Sequence, residues 1–110
     1  MNQPAGADGA SPQADRPPNS ESLVRDIEIT NKKGLHARAS AKFVQTVEKF
    51  DATVKVTRAG ETVGGTSIMG LMMLSAGIGS VIQIEASGAQ AAEVMAALVE
   101  LLASKFGEDE

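Results

Sequence analysis

The 110-residue sequence has no cysteine, no tryptophan, no tyrosine and a single histidine. Without cysteine there is no disulfide framework, thiolate zinc site, iron–sulfur cluster or thiol nucleophile, so the fold must be stable on burial alone. A reducing compartment is compatible with that. One histidine does not build a metal site, and none is expected. Three phenylalanines are the only aromatics, too few for the stacking platforms of a single-strand nucleic-acid module. Ten Lys plus Arg against fourteen Asp plus Glu, a net charge of -4, also argue against phosphate-backbone binding, which needs a basic face. Apolar runs are short. The best, Ser67 to Ile82, is cut by Gly70, Ser75, Gly77, Gly79 and Ser80 and falls short of the ~20 apolar residues of a spanning helix, so no membrane insertion is expected. No GxxxxGK[ST], no GxGxxG after a strand, no HExxH and no GxSxG occurs, which removes the common signatures of nucleotide, metallohydrolase and serine-hydrolase chemistry.

All four prolines lie between Pro4 and Pro18, among Gly, Ala, Ser, Gln and Asp. Such a segment cannot bury enough apolar surface to offset the entropy of ordering it, so residues 1–21 are expected to be a flexible tail and residues 22–110 the single domain. The first residues carry neither a basic start nor an apolar stretch, and a cytoplasmic location is expected. Within the domain, Ile27 and Ile29 alternate with polar residues as in a half-buried strand. Phe43, Val44, Val47 and Phe50 mark an amphipathic helix over Ala37–Phe50. Thr53–Thr57 and Glu61–Val63 predict a hairpin, with Gly60 supplying a positive φ. Ser67 predicts the N-cap of a two-turn helix over Ile68–Leu74. Val81–Glu85 is another strand, and Ala91, Val94, Met95, Leu98, Leu101 and Leu102 form the stripe of a last helix over Ala89–Phe106. The order βαββαβα, with one apolar face per strand, predicts an α+β open-faced sandwich: a four-stranded antiparallel sheet with its helices on one side. Its core is expected to be aliphatic and methionine-rich.

His36 stands where the first strand gives way to the amphipathic helix. Backbone N–H groups at a helix start attract an anion and disfavour a cationic ring, so a phosphoryl group on this imidazole would sit among donors. Between Glu28 and Glu48 there is no acidic residue, while Lys32, Lys33, Arg38 and Lys42 are basic, and Arg38 has the forked geometry that suits phosphate. From the residues alone, a helix-start histidine beside a solvated basic face remains the favoured reading.

Gly34-Leu-His-Ala-Arg38, followed by Ser67-Ile-Met-Gly70, resembles the HPr family, histidine-containing phosphocarriers of the bacterial phosphoenolpyruvate-dependent phosphotransferase system. The resemblance covers residues 22 to 106. It implies a carrier rather than an enzyme. His36 would be phosphorylated at Nδ1 by enzyme I, with a phosphoryl group originating in phosphoenolpyruvate and no bound cofactor, and would pass it to a histidine of an enzyme IIA. Arg38 would balance phosphate charge. Ser67 matches the serine that an HPr kinase/phosphorylase modifies in some bacteria, and a plain N-cap is its simpler role. Ile68, Leu71 and Met72 would form an apolar docking patch, while Met69 and Met73 are expected in the core. The sequence departs from the family at Ala39, where proline is usual, and at Ser40, often alanine, whose hydroxyl either faces solvent or adds a phosphate contact. A monomer is expected. A regulator acting through Ser67 without transferring phosphate is the alternative, and the resemblance leaves open a sugar-transport or a nitrogen-related branch, with Ala39, Ser40 and Ser67 inclining it to the latter through their likeness to HPr-like proteins of alphaproteobacteria.

Overall fold

A computed structural model describes residues 22–107; the expected tail, residues 1–21, and residues 108–110 lie outside the described residues. The elements follow the expected order: β1 (Leu23–Glu28), α1 (Ala37–Val47), β2 (Thr53–Arg58), β3 (Glu61–Gly64), α2 (Ile68–Met73), β4 (Val81–Ser87) and α3 (Ala91–Ala103), then a 3-10 turn at Lys105–Gly107. The strands form one antiparallel sheet in the order β1-β4-β2-β3. Ile27 is paired with Ile82, Val54 with Ala86, and Val56 with both Ile84 and Val63. Directly opposed residues share a face, so these side chains form one apolar surface. The three helices lie on it, and the architecture is the expected open-faced sandwich. The hairpin closes through Ala59 and Gly60, both at positive φ (52° and 84°). That is the pattern of a two-residue type I′ turn, which glycine enters without penalty and alanine does not.

Both long helices stop short of their expected ends. After Val47 the bonding tightens to i→i−3, with Lys49 N–H donating to Thr46 O (3.2 Å) and Phe50 N–H to Val47 O (3.1 Å). α3 ends at Ala103; Lys105 and Phe106 then take left-handed φ of 57° and 58°. This turn seats the Phe106 ring in the core, and the Lys42 ammonium donates to the Phe106 carbonyl at 2.5 Å.

The core is aliphatic, with Phe43 and Phe106 fully enclosed, and it is not methionine-rich: among the described methionines only Met95 is buried. Met69 and Met73, expected inside, are 70% and 71% exposed. α2 has six residues and therefore one inward stripe, which Leu71 takes together with its cap residue Leu74. Leu71 is consequently removed from the expected docking patch, since it is completely buried. A Cβ at Gly70 would lie 3.0 Å from Val63 Cβ, so the glycine that weakens this helix also lets it sit close against β3.

Candidate functional site

The loop from β1 to α1 is fixed by the loop that precedes β4. Ile29 N–H donates to Ser80 O, and Gly79 N–H to Ile29 O, each at 2.8 Å. Asn31 is fully buried, and its Nδ2 donates to Gly34 O at 2.9 Å while Gly34 N–H donates to Asn31 O at 3.2 Å, which closes a tight turn. Gly34 has φ of 65°, and a Cβ there would run into the carbonyl oxygen of Ala76; glycine is required twice over. Leu35 N–H then donates to Ala76 O (2.9 Å), and the Leu35 side chain is buried. With Leu35 anchored inward, the next residue, His36, comes to the surface as the N-cap of α1, half-buried, with extended backbone (φ −75°, ψ −177°) and no side-chain cap bond.

Ser40 N–H donates to His36 O at 2.8 Å. By helix geometry the N–H groups of Ala37, Arg38 and Ala39 precede any intrahelical acceptor. Because Ala39 stands where proline would be, the third of these donors is present. Ala39 itself is buried. Ser40 fits neither of its expected roles: it is buried, and its hydroxyl donates to Leu35 O at 3.2 Å, tying the helix start to the loop.

Of the basic residues, Lys32, Lys33 and Arg38 are exposed around the loop and first turn. Lys42 is not part of this group. It lies six residues beyond His36, about 9 Å along the axis, and is held by the Phe106 carbonyl. An open cleft of about 250 Å3 is lined by Lys33, Leu35, His36, Ser75, Ala76 and Gly77. Sequence reasoning missed its second wall, residues 75–77. Gly77 and Gly79 signal a loop, but nothing local shows that it returns to Leu35. The far end of α2 that feeds this wall is fixed by Arg58, whose Nη1 donates to Leu74 O at 3.0 Å. Among the described residues no group of three His, Cys, Asp or Glu is placed to hold a metal ion, and no helix is long and apolar enough to cross a membrane.

Ser67 is exposed and caps α2 as expected, its Oγ accepting from Gly70 N–H at 2.9 Å. On the outer side of that helix Ile68 and Met72 are 40% and 39% exposed, and Met69 and Met73 extend the apolar surface further.

The fold and site are those of an open-faced sandwich with a histidine at the N-cap position of its first helix, and comparison with known proteins specifies the family. Residues 23–104 match the model described as the PTS HPr component phosphorylation site. The Neisseria meningitidis serogroup A phosphocarrier protein HPr is 54% identical over 88 residues, covering 80% of this chain and 99% of the relative. The Escherichia coli phosphocarrier protein NPr is 39% identical over 88 residues, covering 79% and 98%. A crystal structure of HPr from Thermoanaerobacter tengcongensis superposes with a TM-score of 0.77 at 44% identity, covering 80% of this chain and 99% of that one. The chain belongs to the HPr family of phosphocarriers.

Proposed function

We propose that His36 is the residue that carries the phosphoryl group. Its Nδ1 lone pair attacks phosphorus on a phosphorylated enzyme I charged from phosphoenolpyruvate. The donor's P–N bond breaks, its electron pair returns to the donor nitrogen, and the new P–N bond forms on His36 while the ring proton stays on Nε2. The reverse sequence hands the group to a histidine of an enzyme IIA. The observation that carries this reading is the placement of the only histidine at the N-cap of an eleven-residue helix, beside three N–H groups with no intrahelical acceptor. Those donors and the Arg38 guanidinium suit phosphoryl oxygens. Protein-to-protein transfer needs an accessible nucleophile and a docking surface, and the cleft is open on one side for this. Ile68 and Met72, joined by Met69 and Met73, are apolar, adaptable and beside the site, which suits a surface that meets both enzyme I and enzyme IIA.

Ser67 is the candidate regulatory position, modified by an HPr kinase/phosphorylase. Ser67 is exposed and, among the described residues, its hydroxyl is bound only to Gly70 N–H, a bond that a phosphate oxygen takes over without unwinding the helix, while the added charge falls beside the apolar patch and opposes docking. The higher identity to HPr than to NPr favours an HPr-type carrier over an NPr-type one.

The test is intact mass after incubation with a bacterial enzyme I, phosphoenolpyruvate and magnesium. Wild type is expected to gain one acid-labile phosphoryl group, and His36→Ala none. Uptake by His36→Ala would move the site elsewhere. A wild type that stays unmodified, while the same enzyme I charges a control carrier and a cognate one also fails, would favour the non-transferring regulator.

A further inference from the structure

We infer that Ser75 is a phosphoryl-binding residue: its hydroxyl donates to the phosphoryl group carried on His36, from the wall of the cleft opposite the start of α1. The inference rests on the carrier reading above and deepens it. Ser75 lines the same cleft as His36 and Lys33. It has φ of 55°, the left-handed region that a residue with a Cβ rarely occupies and that glycine or asparagine occupies readily. Its backbone N–H is used, donating to Met72 O at 3.1 Å, and the next residue's carbonyl accepts from Leu35 N–H at 2.9 Å. The backbone here therefore has a fixed course, and it keeps Ser75 in the wall of the cleft that His36 also lines. Among the described residues no hydrogen bond engages the Ser75 hydroxyl. The turn alone would be better served by glycine. What the serine adds is one rotatable O–H donor in the lining of a cleft that His36, at the start of α1, and Lys33 also line. No bond to Ser75 forms or breaks during transfer; the hydroxyl keeps its proton and donates it as a hydrogen bond to a phosphoryl oxygen.

Stability and phosphorylation are expected to move in opposite directions in Ser75→Gly, which separates binding from packing. The full chain is equilibrated with enzyme I at fixed ratios of phosphoenolpyruvate to pyruvate. The phosphorylated fraction is read by intact mass at neutral pH, and thermal unfolding is followed in parallel. Ser75→Gly should melt at or above wild type, because the left-handed strain is relieved. Its phosphorylation equilibrium should fall about three- to tenfold, the loss of one hydrogen bond to a charged oxygen at an open site. Ser75→Asn, which tolerates this φ and keeps a donor, should recover to within about twofold. A Ser75→Gly equilibrium equal to wild type, or a fall in phosphorylation that tracks a fall in melting temperature, overturns the inference while leaving His36 as carrier. Absence of uptake by wild type under a competent enzyme I overturns both.

Discussion

The open face of the sheet and the loop end that carries His36 are built from different materials. On the sheet face, polar groups of neighbouring strands satisfy one another: the Thr57 and Thr62 hydroxyls bond at 2.7 Å and the Gln83 amide donates to the Asp26 carboxylate at 3.4 Å, while Lys55 and Glu85, of opposite charge, are in register. Its large apolar residues, Val24 and Val81, stand singly and need no partner to explain them. At the loop end the cations Lys32, Lys33 and Arg38 have no acidic residue near them in sequence, and four apolar side chains of a six-residue helix face water. A face whose groups satisfy each other has little to offer a partner. The loop end, on the function proposed for it, keeps its donors and its apolar surface for one.

The comparison is broken most forcefully by moving the boundary between inside and outside on α2. Leu71→Ala removes a fully buried side chain and is expected to cost about 2–4 kcal/mol, read as a shift of the urea midpoint. Met69→Ala and Met73→Ala, each two positions away, should stay within about 0.5 kcal/mol and instead weaken enzyme I docking, measured by titration calorimetry. If either methionine variant destabilises the fold as Leu71→Ala does, α2 is seated differently and the apolar patch is not a docking surface.

Gly34→Ala comes next. The added methyl meets the Ala76 carbonyl, and the backbone at φ of 65° disfavours it as well; relief requires the two loops to part at the Leu35–Ala76 bond. A loss of about 1–3 kcal/mol is expected, together with slower phosphotransfer, because His36 loses the anchor that precedes it. Chemical-shift changes confined to residues 30–40 and 74–80 would confirm the location. Changes spread across the sheet would refute it.

Most of the fold was legible in the sequence because it rests on local signals: alternation in the strands, apolar spacing in α1 and α3, Gly60 in the hairpin and Ser67 at its cap. The site was legible in part for the same reason, since His36, Arg38 and their helix start are contiguous. What escaped depends on contacts distant in sequence. Two turns of helix are too short for periodicity to separate Leu71 from Met69 or Met73. Lys42 reads as one more cation near the site until the turn at Lys105 and Phe106, 64 residues away, brings a carbonyl to it. Ser40 looks like a surface serine until Leu35 is seen to fold back under it.

A smaller effect distinguishes the two roles of Ser67. Ser67→Ala deletes the bond to Gly70 N–H and should cost about 1 kcal/mol with transfer from enzyme I unchanged once the folded fraction is allowed for. Ser67→Asp keeps an acceptor at the cap and favours the helix dipole, so stability is expected to be retained while the KM for this carrier in the enzyme I reaction rises several-fold. Stability and docking therefore separate in opposite variants. If Ser67→Asp docks as well as wild type, charge at this position does not regulate the carrier.

The smallest expected effects compare the two surfaces directly. Lys55→Gln removes an exposed cation in register with Glu85 on the sheet, where even a formed ion pair would be worth only about 0 to 1 kcal/mol, and the rate of phosphoryl uptake should not change. Lys32→Gln removes an equally exposed cation at the loop end. It should leave stability alone and lower the association rate with enzyme I by about two- to threefold at low ionic strength, with the difference vanishing as salt screens the field. Stopped-flow phosphorylation at two salt concentrations measures both. Equal slowing by the two variants would mean that the partner also covers the sheet, and that groups which satisfy each other within one chain can still be read by another.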